Sequence, residues 1–480
     1  MSDSTVGDVD LSLEVLKGVS AKFTQAILGF AGTILFARIL GPTSFGGFYI
    51  LMSLVQVVNW PTEGWAIAGK KRYSEAESEK NEILGAQALL NLGLIVFVII
   101  VSVLFANQLV SYTGIESAPY LFPLLVTTLV FFGPFQKLLT AEGHVSLQAW
   151  NDTLRSVTTF LFQIGLVFIG WGAVGMAIGW AASTALAVPI TFHYIGVRPN
   201  VPSLSTLRSI VDFAKYSTWS AVFNMAYTRY DVLLLALILG PASSGYYEAA
   251  LKLSIPASFI STIAGSGLMA KVSHRYSTGR EFHQTVSRTL SHSTVLAIPM
   301  FFGGAVVAED LVVTAYGSEY RSGAALLIGL LLYQVIRSQG KILTRTLSGI
   351  DRPNLIFRIS GVVLAVNIVV GYALLIQIGP VGVVVGTVAS EFLRYVLNAY
   401  YVRQYATDIT LFPSELRHQT ISGLVMAGVV YLLHGWVAVN SFIVLGTIIG
   451  FGAVTYVAAL SVLSSEFRNT LFRALSGVLS

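Results

Sequence analysis

The chain has 480 residues, 54% of them hydrophobic and 11% charged, with a formal net charge of +5 and a mean hydropathy of +0.73. Soluble domains carry about 25% charged residues, so this balance excludes one; recurring apolar stretches of roughly 20 residues, enough to cross a ~30 Å hydrocarbon core, make it a polytopic membrane protein. With no cysteine in the chain, disulfides, thiolate catalysis and cysteine metal sites are excluded as well.

Taken in order, the chain opens on the acidic MSDSTVGDVDLSLEV, which lacks the basic flank and short apolar core of a cleaved signal peptide. Apolar runs bounded by charges, Gly and Pro then predict fourteen spans, at 18–38, 44–68, 85–106, 118–138, 147–170, 173–194, 212–239, 243–270, 289–315, 323–345, 355–378, 381–402, 419–437 and 441–463. Loops after even-numbered spans hold Lys70, Lys71, Arg72, Lys80, Arg198, Arg208, Arg275, Arg280, Arg352 and Arg417, whereas Arg38 and Arg321 are the exceptions elsewhere. By the positive-inside rule both termini are expected in the cytoplasm, with the chain in the cell membrane. The same distribution explains the basic pI of about 9.2 without a nucleic-acid partner.

The sequence is duplicated. Ile39-Leu40-Gly41-Pro42 returns as Ile238-Leu239-Gly240-Pro241, Arg72-Tyr73-Ser74 as Arg275-Tyr276-Ser277, and Lys137-Leu138-Leu139-Thr140 as Lys341-Ile342-Leu343-Thr344. The sixth and twelfth spans share G-x-V-G-x-x-x-G-x-x-A-S, Gly172–Ser183 and Gly379–Ser390. An even number of spans between copies gives parallel repeats. The expected fold is therefore all-α, with about fourteen membrane helices in two parallel six-helix repeats around a central cavity. Residues 1–200 and 201–405 form the bundles, and 406–480 add two C-terminal helices. Gly and Pro in the repeated turn suit a reversal at the outer end of each first hairpin. Gly175, Gly179, Gly382 and Gly386 are expected as close helix contacts.

Catalytic chemistry is not legible. Gly64-Trp-Ala-Ile-Ala-Gly69-Lys70-Lys71 approaches a phosphate-cradling loop but ends in Lys71 where a hydroxyl belongs, and it closes a membrane helix. The histidines have no metal-binding spacing and no Ser/His/Asp set assembles. We therefore expect no catalytic residue, metal site or cofactor, and a protein that is not an enzyme.

Charges inside the spans carry the functional signal, since each costs ~2.5–3.5 kcal/mol at the bilayer centre on insertion scales. Arg229 and Asp231 lie roughly 12–15 Å from one end of span seven; Glu248 and Lys252 share a face of span eight at i,i+4; Lys22 is in span one and Glu63 in span two beside Pro61. All six belong to the first hairpins of the two repeats, where a shared substrate path is expected. Arg337, Lys341 and Arg345 recur every four residues along span ten, either as a positive-inside anchor or as an entry surface for an anionic headgroup.

Ala37-Arg38-Ile39-Leu40-Gly41-Pro42 with Phe45-Gly46 and Tyr49, and Arg229-x-Asp231 leading into Leu239-Gly240 and Gly245-Tyr246-Tyr247, resemble the signature of polysaccharide-biosynthesis (Wzx-like) transporters. These belong to the multidrug, oligosaccharidyl-lipid and polysaccharide exporter superfamily, and the acidic start looks like that of haloarchaeal members serving N-glycosylation. The resemblance implies two six-helix bundles facing a V-shaped cavity and outward flipping of a polyprenyl- or dolichyl-phosphate-linked sugar or oligosaccharide. Lys22, Arg229, Lys252, Arg337 and Lys341 would bind that substrate. Glu63, Asp231 and Glu248 would balance the cations or couple transport to H+ or Na+. Membrane lipids and a glycosyltransferase or oligosaccharyltransferase are the expected partners. The alternative reading is a cation-coupled exporter of soluble drugs or metabolites.

Overall fold

The computed structural model describes residues 11–75, 79–142, 145–196, 198–437, 439 and 441–470. Among them the regular structure is helical, with no strand. The α-helices in chain order are α1 (Leu11–Val58), α2 (Trp60–Tyr73), α3 (Lys80–Leu104), α4 (Ala106–Thr113), α5 (Ala118–Ala141), α6 (Val145–Leu166), α7 (Gly172–Ile195), α8 (Leu204–Leu239) and α9 (Pro241–Ser254). They continue as α10 (Phe259–Ser277), α11 (His283–Ser293), α12 (Ala297–Val306), α13 (Ala308–Tyr316), α14 (Gly323–Gly349), α15 (Pro353–Ile378), α16 (Pro380–Tyr405), α17 (Ser414–Trp436) and α18 (Phe442–Leu463). Every expected span coincides with one helix or a run of consecutive helical segments. Ten stretches among the described residues are long and apolar enough to cross a membrane by length and composition. One of them, Ser146–Ile195, is the hairpin of α6 and α7. The chain is a multi-pass membrane protein.

Backbone geometry repeats with the sequence. Gly41 (φ 68°, ψ 170°) bends α1 internally, and Gly240 (φ 87°, ψ 176°) separates α8 from α9. Only glycine adopts that conformation cheaply, and the following Pro42 or Pro241 opens the next helical segment with its fixed φ. Phe105 (φ −110°, ψ 27°) and Val307 (φ −111°, ψ 23°) break the third and ninth spans in matching places. Short helices α4 and α13 follow, ended by Gly114 (φ 69°) and Gly317 (φ 104°).

Packing is by close approach, because lipid gives apolar faces no reason to leave it. A Cβ at Gly179 would come within 2.8 Å of the Gln163 backbone nitrogen, and one at Gly386 within 2.6 Å of the Gly371 Cα. These glycines let α7 lie on α6 and α16 lie on α15, as their spacing predicts.

The chain divides into two compact units, Met1–Gly245 and Tyr246–Ser480. This division follows packing, with α8 lying against α1 and α2; the boundary expected at 200/201 follows the sequence duplication. In the first unit, Tyr73, Leu84, Phe135, Leu138, Ile195 and Ile210 bring α2, α3, α5, α7 and α8 into one buried cluster. In the second, α17 and α18 pack through Met426, Val430, Ile448 and Tyr456 onto the break at Val307.

Candidate functional site

Within the first unit, α8 carries Arg229 and Asp231, with Tyr230 between them. Arg229 is half-buried and its Nε donates to Gln56 Oε1 at 3.1 Å, tying α8 to the part of α1 beyond the Gly41 bend. Asp231 is buried. Lys22 lies outside the residues whose side chains are described.

Glu63 sits in the first turn of α2, just past the break at Asn59 that Pro61 enforces. Its carboxylate is ion-paired with Lys137 of α5. Lys137 belongs to the duplicated Lys-Leu-Leu-Thr element. One turn further towards the basic loops, Glu142 accepts from Tyr73 Oη at 2.9 Å and lies 3.4 Å from Lys80. Burial and that hydrogen bond push the Tyr73 phenol well above its ordinary pKa.

In the second unit, Glu248 is fully buried on α9 and Lys252 is half-buried one turn later. The helix then gives way to a 3₁₀ turn at Ile255–Ser258, opened by Pro256. Gln334 of α14 donates to the Ser254 hydroxyl at 3.2 Å beside that break. On the same α14, Arg337 donates to Tyr333 Oη. Lys341 Nζ donates to Thr262 Oγ1 of α10 at 2.8 Å, and the Arg345 stem runs 3.3 Å from where a Cβ on Gly265 would be.

A polar row on α6 recurs every four residues: Asn151, Arg155, Thr159 and Gln163. Asn151 donates to the Ala187 carbonyl (3.1 Å) and the Thr191 hydroxyl (2.9 Å). Thr159 shares a hydrogen bond with Ser183, and Gln163 donates to the Met176 carbonyl at 2.9 Å. All three cross to α7. Arg155 differs: its guanidinium lies 4.9 Å from the Phe132 ring centre and 5.9 Å from that of Trp180. Its ion pair with Asp152 is 3.9 Å long, beyond hydrogen-bond length.

A family model described as polysaccharide biosynthesis protein matches residues 35–325, more than half of the chain. The chain belongs to this family. It is 27% identical over 97% of its length to the probable low-salt glycan biosynthesis flippase Agl15 of Haloferax volcanii, covering 99% of that protein. It is 24% identical over 95% of its length to the probable flippase AglR of the same organism, covering 96% of it. Among solved structures, the lipid II flippase MurJ in an inward closed conformation superposes with a TM-score of 0.81, at 16% identity, over 95% of this chain and all of that one. An inward-facing MATE multidrug transporter gives 0.67 at 15% identity, over 80% of this chain and 94% of that one. At those identities the likeness is one of fold.

For this polysaccharide-biosynthesis family member, charges beyond the six expected on the first hairpins also fall within the predicted spans. Lys137 and the Asp152–Arg155 pair stand on α5 and α6. Both lay inside runs read as apolar spans, where the average hydropathy hides one or two charges. The four-residue spacing from Asn151 to Gln163 was the available signal. The loop-like motif from Gly64 to Lys71 is continuous α2 helix, so no phosphate-cradling turn forms there.

Proposed function

We propose that the chain moves a polyprenyl- or dolichyl-phosphate-linked sugar or oligosaccharide from the cytoplasmic to the external leaflet, for glycan or glycoprotein assembly. The observation that carries this reading is the near full-length relationship to two haloarchaeal proteins named as flippases. It is supported by ionisable groups within spans, which a purely anchoring bundle would have no reason to keep. Such a protein supplies a polar route for the headgroup while the lipid tail stays in the bilayer, so no bond is made or broken.

Arg229, Lys252, Arg337, Lys341 and Lys22 attract the phosphate, and low surrounding dielectric strengthens that attraction. Asp231, Glu248 and Glu63 balance those cations when substrate is absent, or take H+ or Na+ if transport is coupled. The basic loops face the cytoplasm with both termini, next to the glycosyltransferase that loads the carrier; an oligosaccharyltransferase or polymerase consumes it outside.

The test is movement of a lipid-linked sugar across sealed vesicles, comparing the native chain with Arg229→Ala and Lys252→Ala at matched protein levels. Arrival on the far leaflet, lost in both variants, is expected. If the native chain moves no phosphate-linked donor but does extrude cationic drugs, the soluble-drug exporter reading replaces this one.

A further inference from the structure

Arg155 is the eleventh of the 22 residues of α6, near the middle of a helix long enough to cross the bilayer. Its side chain is 23% exposed, so the guanidinium is accessible but mostly enclosed. Guanidinium offers five N–H donors in a planar fork and stays charged at any relevant pH. Phe132 from α5 and Trp180 from α7 cover it as cation–π partners, which fixes its orientation without using an N–H group.

Among the described residues no acceptor lies within hydrogen-bond reach of those donors. Nε is buried and without an acceptor, and Asp152 at 3.9 Å supplies charge rather than a bond. The contrast with its own row is the decisive point. Asn151, Thr159 and Gln163 each make a hydrogen bond to α7, so the interface can provide partners at this spacing. A purely structural residue here would take the same kind of bond. A buried donor left unmade is costly unless something arrives to complete it.

We infer that Arg155 is an oxyanion-binding residue, whose free guanidinium edge receives a phosphate in two parallel N–H···O bonds. Resting on the proposed function, that phosphate belongs to the lipid-linked sugar, and Arg155 holds it midway across the first unit. The other source of the same chemistry is the headgroup of an ordinary phospholipid. Arg155 adds a contact on α6 to those expected from the first hairpins.

The test uses the full chain in phosphate-free maltoside micelles and radiolabelled polyprenyl-phosphate-linked sugar, with Arg155→Met and Arg155→Lys as variants. Binding should weaken about ten- to a hundred-fold in Arg155→Met, the range for a lost charge-assisted pair. Arg155→Lys should recover part of it, because the charge returns without the fork. A polyprenyl-linked sugar lacking phosphate should bind the native chain and both variants equally, which a general loss of structure would not produce.

Inorganic pyrophosphate should compete, and phosphatidylglycerol should compete far less. Unchanged affinity in Arg155→Met, or equal loss for the phosphate-free ligand, overturns the inference. Equally strong competition by phosphatidylglycerol overturns the lipid-linked sugar as the source. If no lipid-linked sugar binds while pyrophosphate binding depends on Arg155, the oxyanion site stands and the flippase reading falls.

Discussion

Gly46 and Gly245, matching positions in the two copies of the repeated turn, pass each other with no room for a side chain on either. A Cβ on Gly46 would overlap the Pro241 carbonyl oxygen, and one on Gly245 would overlap that of Pro42. Each copy meets the other through the same atoms, the reciprocal pattern of a two-fold contact. Gly46→Ala and Gly245→Ala should each destabilise the fold by about 1–3 kcal/mol, since backbone must move to admit the methyl. Gly93→Ala, in a helix interior with nothing within 4 Å, should leave stability unchanged or raise it by up to ~1 kcal/mol. Thermal unfolding in detergent compares them; equal melting temperatures for all three would show that the turns can separate freely.

That contact explains which parts of the fold the sequence could carry. Duplicated Gly-Pro pairs announced the bends at Gly41 and Gly240 because only glycine fits there. Gly175/Gly179 and Gly382/Gly386 announced two hairpins by spacing alone. The breaks at Phe105 and Val307 gave no such sign, for neither residue is a breaker and their conformation is imposed by what surrounds them. The site followed the same division. Arg229, Asp231, Glu248 and Lys252 stood out against apolar neighbours. Which residue meets Glu63 depends on how α2 lies on α5, and no local pattern states it.

Glu82 fastens the start of α8 to the start of α3. Its carboxylate accepts from the Ser203 amide (3.0 Å), the Ser203 hydroxyl (2.6 Å) and the Thr206 hydroxyl (2.7 Å). Alongside, Asn200 donates its amide to the Asn81 carbonyl at 3.0 Å, and a Cβ on Gly85 would overlap the Asn200 carbonyl. Glu82→Ala and Gly85→Val should both release the segment from Arg198 to Ser203. Limited proteolysis of vesicles open to protease should then cut there faster than in the native chain. Unaltered cleavage in both variants would mean that other contacts hold the segment.

Tyr112, at the end of α4, donates its phenol to the Leu233 carbonyl at 2.6 Å, and burial pushes its pKa up to about 12. The folded state favours the neutral phenol, so this contribution is complete below the ordinary value near 10 and disappears as pH rises from there towards 12. Tyr112→Phe should cost about 1 kcal/mol at pH 7. The gap between the variant and the native chain should be flat from pH 7 to 9 and close at higher pH. A gap that widens above pH 10 would contradict the hydrogen bond as its origin.

Lys137 and Lys341 occupy the same place in the two repeats, yet one is neutralised by Glu63 and the other is met by the hydroxyl of Thr262. An ion pair this exposed, with side chains 42% and 26% accessible, falls between the surface and buried limits, so its coupling should be on the order of 1 kcal/mol. Glu63→Gln and Lys137→Met should each destabilise the chain, and the double variant should lose less than the sum. In the vesicle assay that double variant should keep most of its transport, because one charge of each sign has gone. Lys341→Met removes a cation that pairs with no carboxylate among the described residues. It should raise the substrate concentration needed for half-maximal transport while leaving unfolding close to native. The opposite ranking, with the first pair essential for transport and Lys341 dispensable, would place the working cation of this duplicated position in the first repeat.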